Sequence, residues 1–136
     1  MDSINGIIAL LVGLQFAAFG WRINREISVG DEERKTWIPL ADFVNIIMLF
    51  STIICCIIIP LMGFDTLRKP VFIAAAILIA FHPMTTAGHY GLLTRRGRKH
   101  YLTPEGDWPY KTGEEYVSFI LSLIITAVFV GLYMVP

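Results

Sequence analysis

The chain is short of charge. Asp, Glu, Lys and Arg make up only 16% of its 136 residues, where a soluble domain carries about 25%. The charges that exist are gathered in patches, which leaves long blocks with nothing to offer water and excludes a soluble core wrapped in a charged surface. Cysteine is nearly missing as well. Cys55 and Cys56 are the two present, adjacent in an apolar block, a spacing that gives at best a strained disulfide and no CxxC or metal-ligand pattern. They read as small packing residues. The formal net charge is zero, so no overall electrostatic attraction draws the chain to nucleic acid. Neither GxGxxG nor GxxxxGK occurs, and no nucleotide-binding loop is indicated.

What the chain does have is long hydrophobic runs. Residues 4–21 carry no charged side chain, residues 37–64 carry one (Asp42), residues 70–94 carry no Asp, Glu, Lys or Arg, and residues 116–134 form a fourth apolar block. Each meets the length of about 20 residues that a bilayer-spanning helix requires. In lipid the backbone must satisfy its own hydrogen bonds, so these runs predict helices; they are too long and too continuous for the alternating strands of a membrane barrel. The first run reads as a genuine helix and not a signal peptide, because it lacks a basic start, Asp2 being the one charge there, and has no convincing small-x-small cleavage site before Trp21-Arg22. The expected fold is all-α: one integral membrane domain over residues 1–136, a four-transmembrane-helix bundle with helices at about 4–22, 37–63, 70–94 and 115–135.

All Lys and Arg residues except Arg68 and Lys69 fall in two loops, 22–36 and 94–115. The positive-inside bias predicts that both loops are cytoplasmic and that both termini lie on the non-cytoplasmic side of a plasma or inner membrane. The first loop balances acidic against basic residues and reads as a solvated connector. The second opens with Arg95, Arg96, Arg98 and Lys99, placed to meet anionic lipid headgroups where the chain leaves the bilayer. Trp108 and Tyr110 are expected at the membrane interface, with Pro104, Gly106, Pro109 and Gly113 marking turns.

Two helices carry small residues on one face. In the first, Ala9, Gly13 and Ala17 recur every four residues; in the third, Ala76, Ala80, Ala87 and Gly91 share a face. Such faces let helices approach closely in lipid, within a bundle or between subunits. The third helix is also polar. His82, Thr85, Thr86 and His89 cluster on a side centred roughly opposite its small face, and Pro83 interrupts the backbone bonding between them. At about 1.5 Å of rise per residue, Asp42 is expected level with His89, Asn45 near Thr85 or Thr86, Gln15 level with His82, and Ser118, Ser122 and Thr126 along the fourth helix. A carboxylate in a spanning helix is costly when isolated, so Asp42 is expected to face inward, paired with His89 or with an arginine of the first loop. The candidate polar cluster is therefore Asp42, Asn45, His82, Thr86 and His89. No metal or other cofactor is expected, and no nucleophile–base–orienter spacing that would mark a catalytic site is readable.

These observations favour a small, homo-oligomeric channel- or transporter-like protein with an internal polar cluster near the cytoplasmic face; its partners would be membrane lipids and further copies of itself. A non-catalytic subunit or sensor presenting its loops to a cytoplasmic protein partner is an alternative. Another rests on resemblance. The four-helix outline, with "TWIPLADF" at the start of the second helix and "AGHYGLL" at the end of the third, resembles the membrane-bound glutathione transferase and eicosanoid family. That resemblance implies a membrane-embedded enzyme using glutathione. The Arg-x-x-Asn-x-x-Glu pattern of that family is missing before the second helix, where residues 30–36 read "GDEERKT".

Overall fold

A computed structural model describes residues 2–33, 39–89 and 112–135. Among the described residues all regular secondary structure is helical, in α1 (Asp2–Glu33), α2 (Leu40–Leu61), α3 (Arg68–His89) and α4 (Gly113–Met134). Each contains a stretch of 22 residues long and apolar enough to cross a membrane. The first helix differs from the sequence expectation. It does not stop at about residue 22 but runs to Glu33, so part of the expected first loop is helix. The sequence signal missed this because an apolar window ends where charge begins, whereas a helix ends only where its backbone bonding ends. The basic cluster Arg95, Arg96, Arg98 and Lys99 and the aromatic pair Trp108 and Tyr110 lie outside the described residues.

Local chemistry explains where the later helices start, bend and stop. Pro39 precedes α2, and its carbonyl accepts from the Asp42 and Phe43 amides, both at 3.1 Å. Within α2 the turn Ile54–Ile58 is a π-turn. Pro60 follows directly; it has no N–H to donate and its ring crowds the carbonyl four residues back, and a wider turn just before it accommodates that crowding. The helix then closes at Gly63, whose φ of 90° suits glycine. The Gly63 amide bonds the Pro60 carbonyl at 3.0 Å and the Phe64 amide bonds the Ile59 carbonyl at 3.3 Å, satisfying carbonyls at the end of the helix. At the start of α4, the Thr112 hydroxyl accepts the Glu115 amide at 3.0 Å, an N-cap drawn from the sequence Thr-Gly-Glu-Glu.

The packing is inverted relative to a water-soluble protein. Among the described residues the buried polar side chains outnumber the buried apolar ones, which are Ile8, Leu11, Ala41, Leu49, Cys56 and Ala75. Large apolar side chains face outward along every helix, among them Leu10, Phe50, Val117 and Leu132. That distribution suits lipid outside and hydrogen bonding within, since lipid offers apolar groups as good a home as the interior does. The inward stripes follow helical spacing: Ile8, Leu11, Gln15 and Arg22 on α1; Asp42, Asn45, Leu49, Thr52 and Cys56 on α2; Ala75, His82, Thr85, Thr86 and His89 on α3; Glu115, Ser118 and Ser122 on α4.

The central helix is α3, which touches each of the other three and packs most extensively on α4. Its polar side is its packing side. The face expected to be smooth and packed is not: Ala76 and Ala87 are half-buried and Ala80 is exposed, while Ala75 and Gly88 are the small residues that pack. The reason is energetic. An alanine loses little by facing lipid, and a histidine or threonine loses much. The small face of α1 is likewise outward, with Ala9, Gly13 and Ala17 all exposed.

Gly88 is where α3 and α4 come closest. A Cβ there would meet the Glu114 carbonyl carbon and the Glu115 amide nitrogen, both at 2.9 Å. Gly88→Ala is expected to push the helices apart and destabilise the bundle by about 1–3 kcal/mol. Gly13→Ala, where a Cβ meets nothing within 4 Å, should leave it unchanged; unfolding in detergent micelles compares the two.

Candidate functional site

Two carboxylates organise the polar interior. The first is Asp42, in the first turn of α2 and 2% exposed. The Arg22 guanidinium of α1 donates from Nε to its Oδ2 at 2.6 Å, and His82 Nε2 of α3 lies 2.7 Å from its Oδ1. One carboxylate thus ties three helices together, and both flanking groups are themselves buried. Arg22 stands at the boundary shared by the expected helix and the expected loop, and the structure makes it a helical residue on the inward stripe that includes Gln15. Of the two partners expected for Asp42, the arginine is present and His89 is not.

His89 belongs to the second carboxylate. Its Nδ1 lies 2.8 Å from Oε2 of Glu115, while Oε1 of the same side chain accepts the Leu40 amide at 2.8 Å. Leu40 begins α2, so this amide is one of the donors that a helix start leaves without a partner inside the helix. Glu115 itself sits in the first turn of α4, where the positive end of the helix favours an acidic side chain. Thr112 completes the layer, donating its hydroxyl proton to the Gly88 carbonyl while accepting the Glu115 amide. The ends of α3 and the starts of α2 and α4 are thereby joined through one glutamate and one threonine.

Between and above these pairs lie neutral polar groups. Asn45 Nδ2 donates to the Gln15 carbonyl at 3.1 Å, linking α2 to α1. The Thr86 and Ser118 hydroxyls and both amide atoms of Gln15 are buried with no protein partner. A small cavity of about 10 Å³ is lined by Ala41, Val44, Asn45, Leu78, His82, Thr85, Phe119 and Ser122. Asp42, Asn45, His82, Thr86 and His89 are all buried, but they divide into two layers. Asp42, His82 and His89 do not meet at one point, because Glu115 holds His89.

The sequence reading named neither Glu115 nor Thr112. Each had a signal: Thr112–Glu115 matches the Thr-x-x-Glu pattern that marks a helix start, which puts Glu115 on the first turn of a spanning helix and not in a loop. In the usual capping box the glutamate reaches back to the cap amide; here both its oxygens reach other helices.

Asp42→Ala should cost about 3–5 kcal/mol, because it removes the carboxylate that the buried Arg22 guanidinium and His82 imidazole both meet. The paired replacement Arg22→Met with Asp42→Leu should be less destabilised than either single change. Equilibrium unfolding of the four variants in micelles reads both effects. Comparison of the chain with family models, with curated proteins and with solved structures finds no match in any of the three.

Proposed function

We propose that this chain is a multi-pass membrane protein of the channel or transporter kind whose internal site carries protons. The observation that supports the reading is Asp42 held between Arg22 and His82, at 2.6 and 2.7 Å, inside helices apolar enough to span a bilayer. Ionisable groups are expensive in that setting, and where they occur they mark ion pathways and proton relays. Structural cohesion alone would be served by hydrogen bonds among Ser, Thr and Asn. A carboxylate beside an imidazole adds an acid–base pair able to hand a proton from one member to the other. His89 and Glu115 repeat the arrangement one layer away, so the interior holds two acid–base pairs in series toward the helix ends.

The size of the interior favours a proton over a larger solute. The cavity beside His82, at about 10 Å³, has room for about one water. A hydrated ion or metabolite does not fit there, whereas proton transfer needs only groups and water within hydrogen-bond reach. The outward small face of α1 supports assembly with further copies, since small residues allow close helix contact in lipid. Wider passages, if a larger solute is carried, would then lie between subunits.

The test is proton flux into liposomes containing the purified chain, driven by a pH gradient and followed with an entrapped pH-sensitive dye. Wild-type protein should carry flux above empty liposomes. Asp42→Asn should abolish it while the protein still reconstitutes with native helicity. Flux no greater than that of empty liposomes, or an Asp42→Asn variant as active as wild type, would overturn the reading.

A further inference from the structure

The cavity beside His82 has an unusual set of walls. Thr85 donates its hydroxyl proton to the Phe81 carbonyl at 3.2 Å, and Ser122 donates its own to the Phe119 carbonyl at 2.7 Å. Each hydroxyl has therefore spent its single proton on its own helix, and what remains for the cavity is lone pairs. Asn45 commits an N–H to the Gln15 carbonyl at 3.1 Å, leaving its amide oxygen as an acceptor. His82 commits Nε2 to Asp42 at 2.7 Å, and its other ring nitrogen, Nδ1, is left to face elsewhere. All four residues are more than nine-tenths buried. A space of about 10 Å³ in which these acceptors alternate with the apolar Ala41, Val44, Leu78 and Phe119 suits one small molecule that donates hydrogen bonds.

We infer that the cavity is a binding site for one water molecule, and that this water is the partner through which His82 Nδ1 gains and loses its proton. Water fits the walls in both states of the ring. When Nδ1 is bare, the water donates one proton to it and the other to an oxygen of Thr85, Ser122 or Asn45. When Nδ1 carries a proton, the ring donates to the water oxygen, and both water protons go to those acceptors. The two states differ by one proton, which the cavity water relays and does not itself lose. A proton of the carried flux reaches the water from outside the cavity, and the water passes one proton to Nδ1. It then turns its two remaining protons to those acceptors, while Nε2 stays on Asp42 throughout. A buried water with polar partners on several sides is ordinary protein structure. Here its placement also gives the Asp42–His82 pair an exchange route that does not require the Arg22 contact to open. Ser122 and Thr85 are positioning residues in this arrangement: they hold the water and do not themselves exchange.

This inference deepens the proton-carrying reading and rests on it for its purpose, but the site can be tested without transport. The experiment is solid-state NMR of the full chain in lipid bilayers with nitrogen-labelled histidine, reading magnetisation transfer from water to His82 Nδ1. The resonance is assigned by its loss in His82→Gln. A water cross-peak at Nδ1 is expected in wild type. Ala41→Val, which fills the cavity, should remove it while leaving the unfolding temperature in detergent near that of wild type, and Thr85→Val, which keeps the shape and deletes one acceptor, should weaken it. Absence of the cross-peak in wild type, or its survival unchanged in Ala41→Val, would overturn the inference. A cross-peak in a protein that carries no proton flux would uphold the water site and reject the transport role.

Discussion

Everything in the interior is arranged around one costly placement, the Asp42 carboxylate inside helices that are otherwise apolar. A charge moved from water into a low-dielectric medium must be repaid by partners with good geometry. Asp42 has a guanidinium on one oxygen and an imidazole on the other. Meeting that demand fixes three helices at once. It requires α1 to continue as helix past its apolar run so that Arg22 reaches inward, and it requires α3 to turn its polar side, not its alanine side, toward α2. The second carboxylate, Glu115, does the same at the helix ends. It accepts a backbone amide that α2 leaves without an intrahelical partner and holds His89 with its other oxygen.

This explains why the bundle is polar inside and apolar outside. Between lipid-exposed helices there is little hydrophobic gain from association, because the lipid is as apolar as the side chains. Cohesion has to come from close backbone approach and from hydrogen bonds, and both concentrate on α3. Gly88 gives the close approach to α4; His82 and His89 give the contacts to the two carboxylates. The remaining polar groups, Thr86, Ser118 and Gln15, are buried without protein partners. An arrangement selected only for cohesion would have little use for them, since an unsatisfied buried group costs about 1–3 kcal/mol.

Much of this was legible in the sequence. The four apolar runs give the four spanning-length helices, because run length is a direct consequence of bilayer thickness. Asp42, Asn45, His82, Thr86 and His89 were recognisable as inward-facing because helical periodicity and the cost of polar exposure act on each residue locally. Pairing was not legible. Whether Asp42 meets His82 or His89 depends on how two helices slide and tilt past each other, and depth counted from the helix ends does not fix that. Glu115 and Arg22 were obscured for another reason: both stand at the edges of apolar runs, where a hydropathy window ends and where capping and helix extension decide the structure instead. The Thr-x-x-Glu pattern at 112–115 carried the missing information for one of them. Nothing comparable announces the helical continuation of α1.

The central claim is that Asp42 and His82 form one coupled, buried unit. Isotope-edited infrared spectroscopy of the chain in lipid tests it directly. Labelled aspartate would be assigned to Asp42 by difference from Asp42→Asn. The account predicts a carboxylate band at frequencies typical of a strongly hydrogen-bonded, buried group, displaced in His82→Gln. A band typical of a water-exposed carboxylate, or one at the same frequency with and without His82, would contradict it.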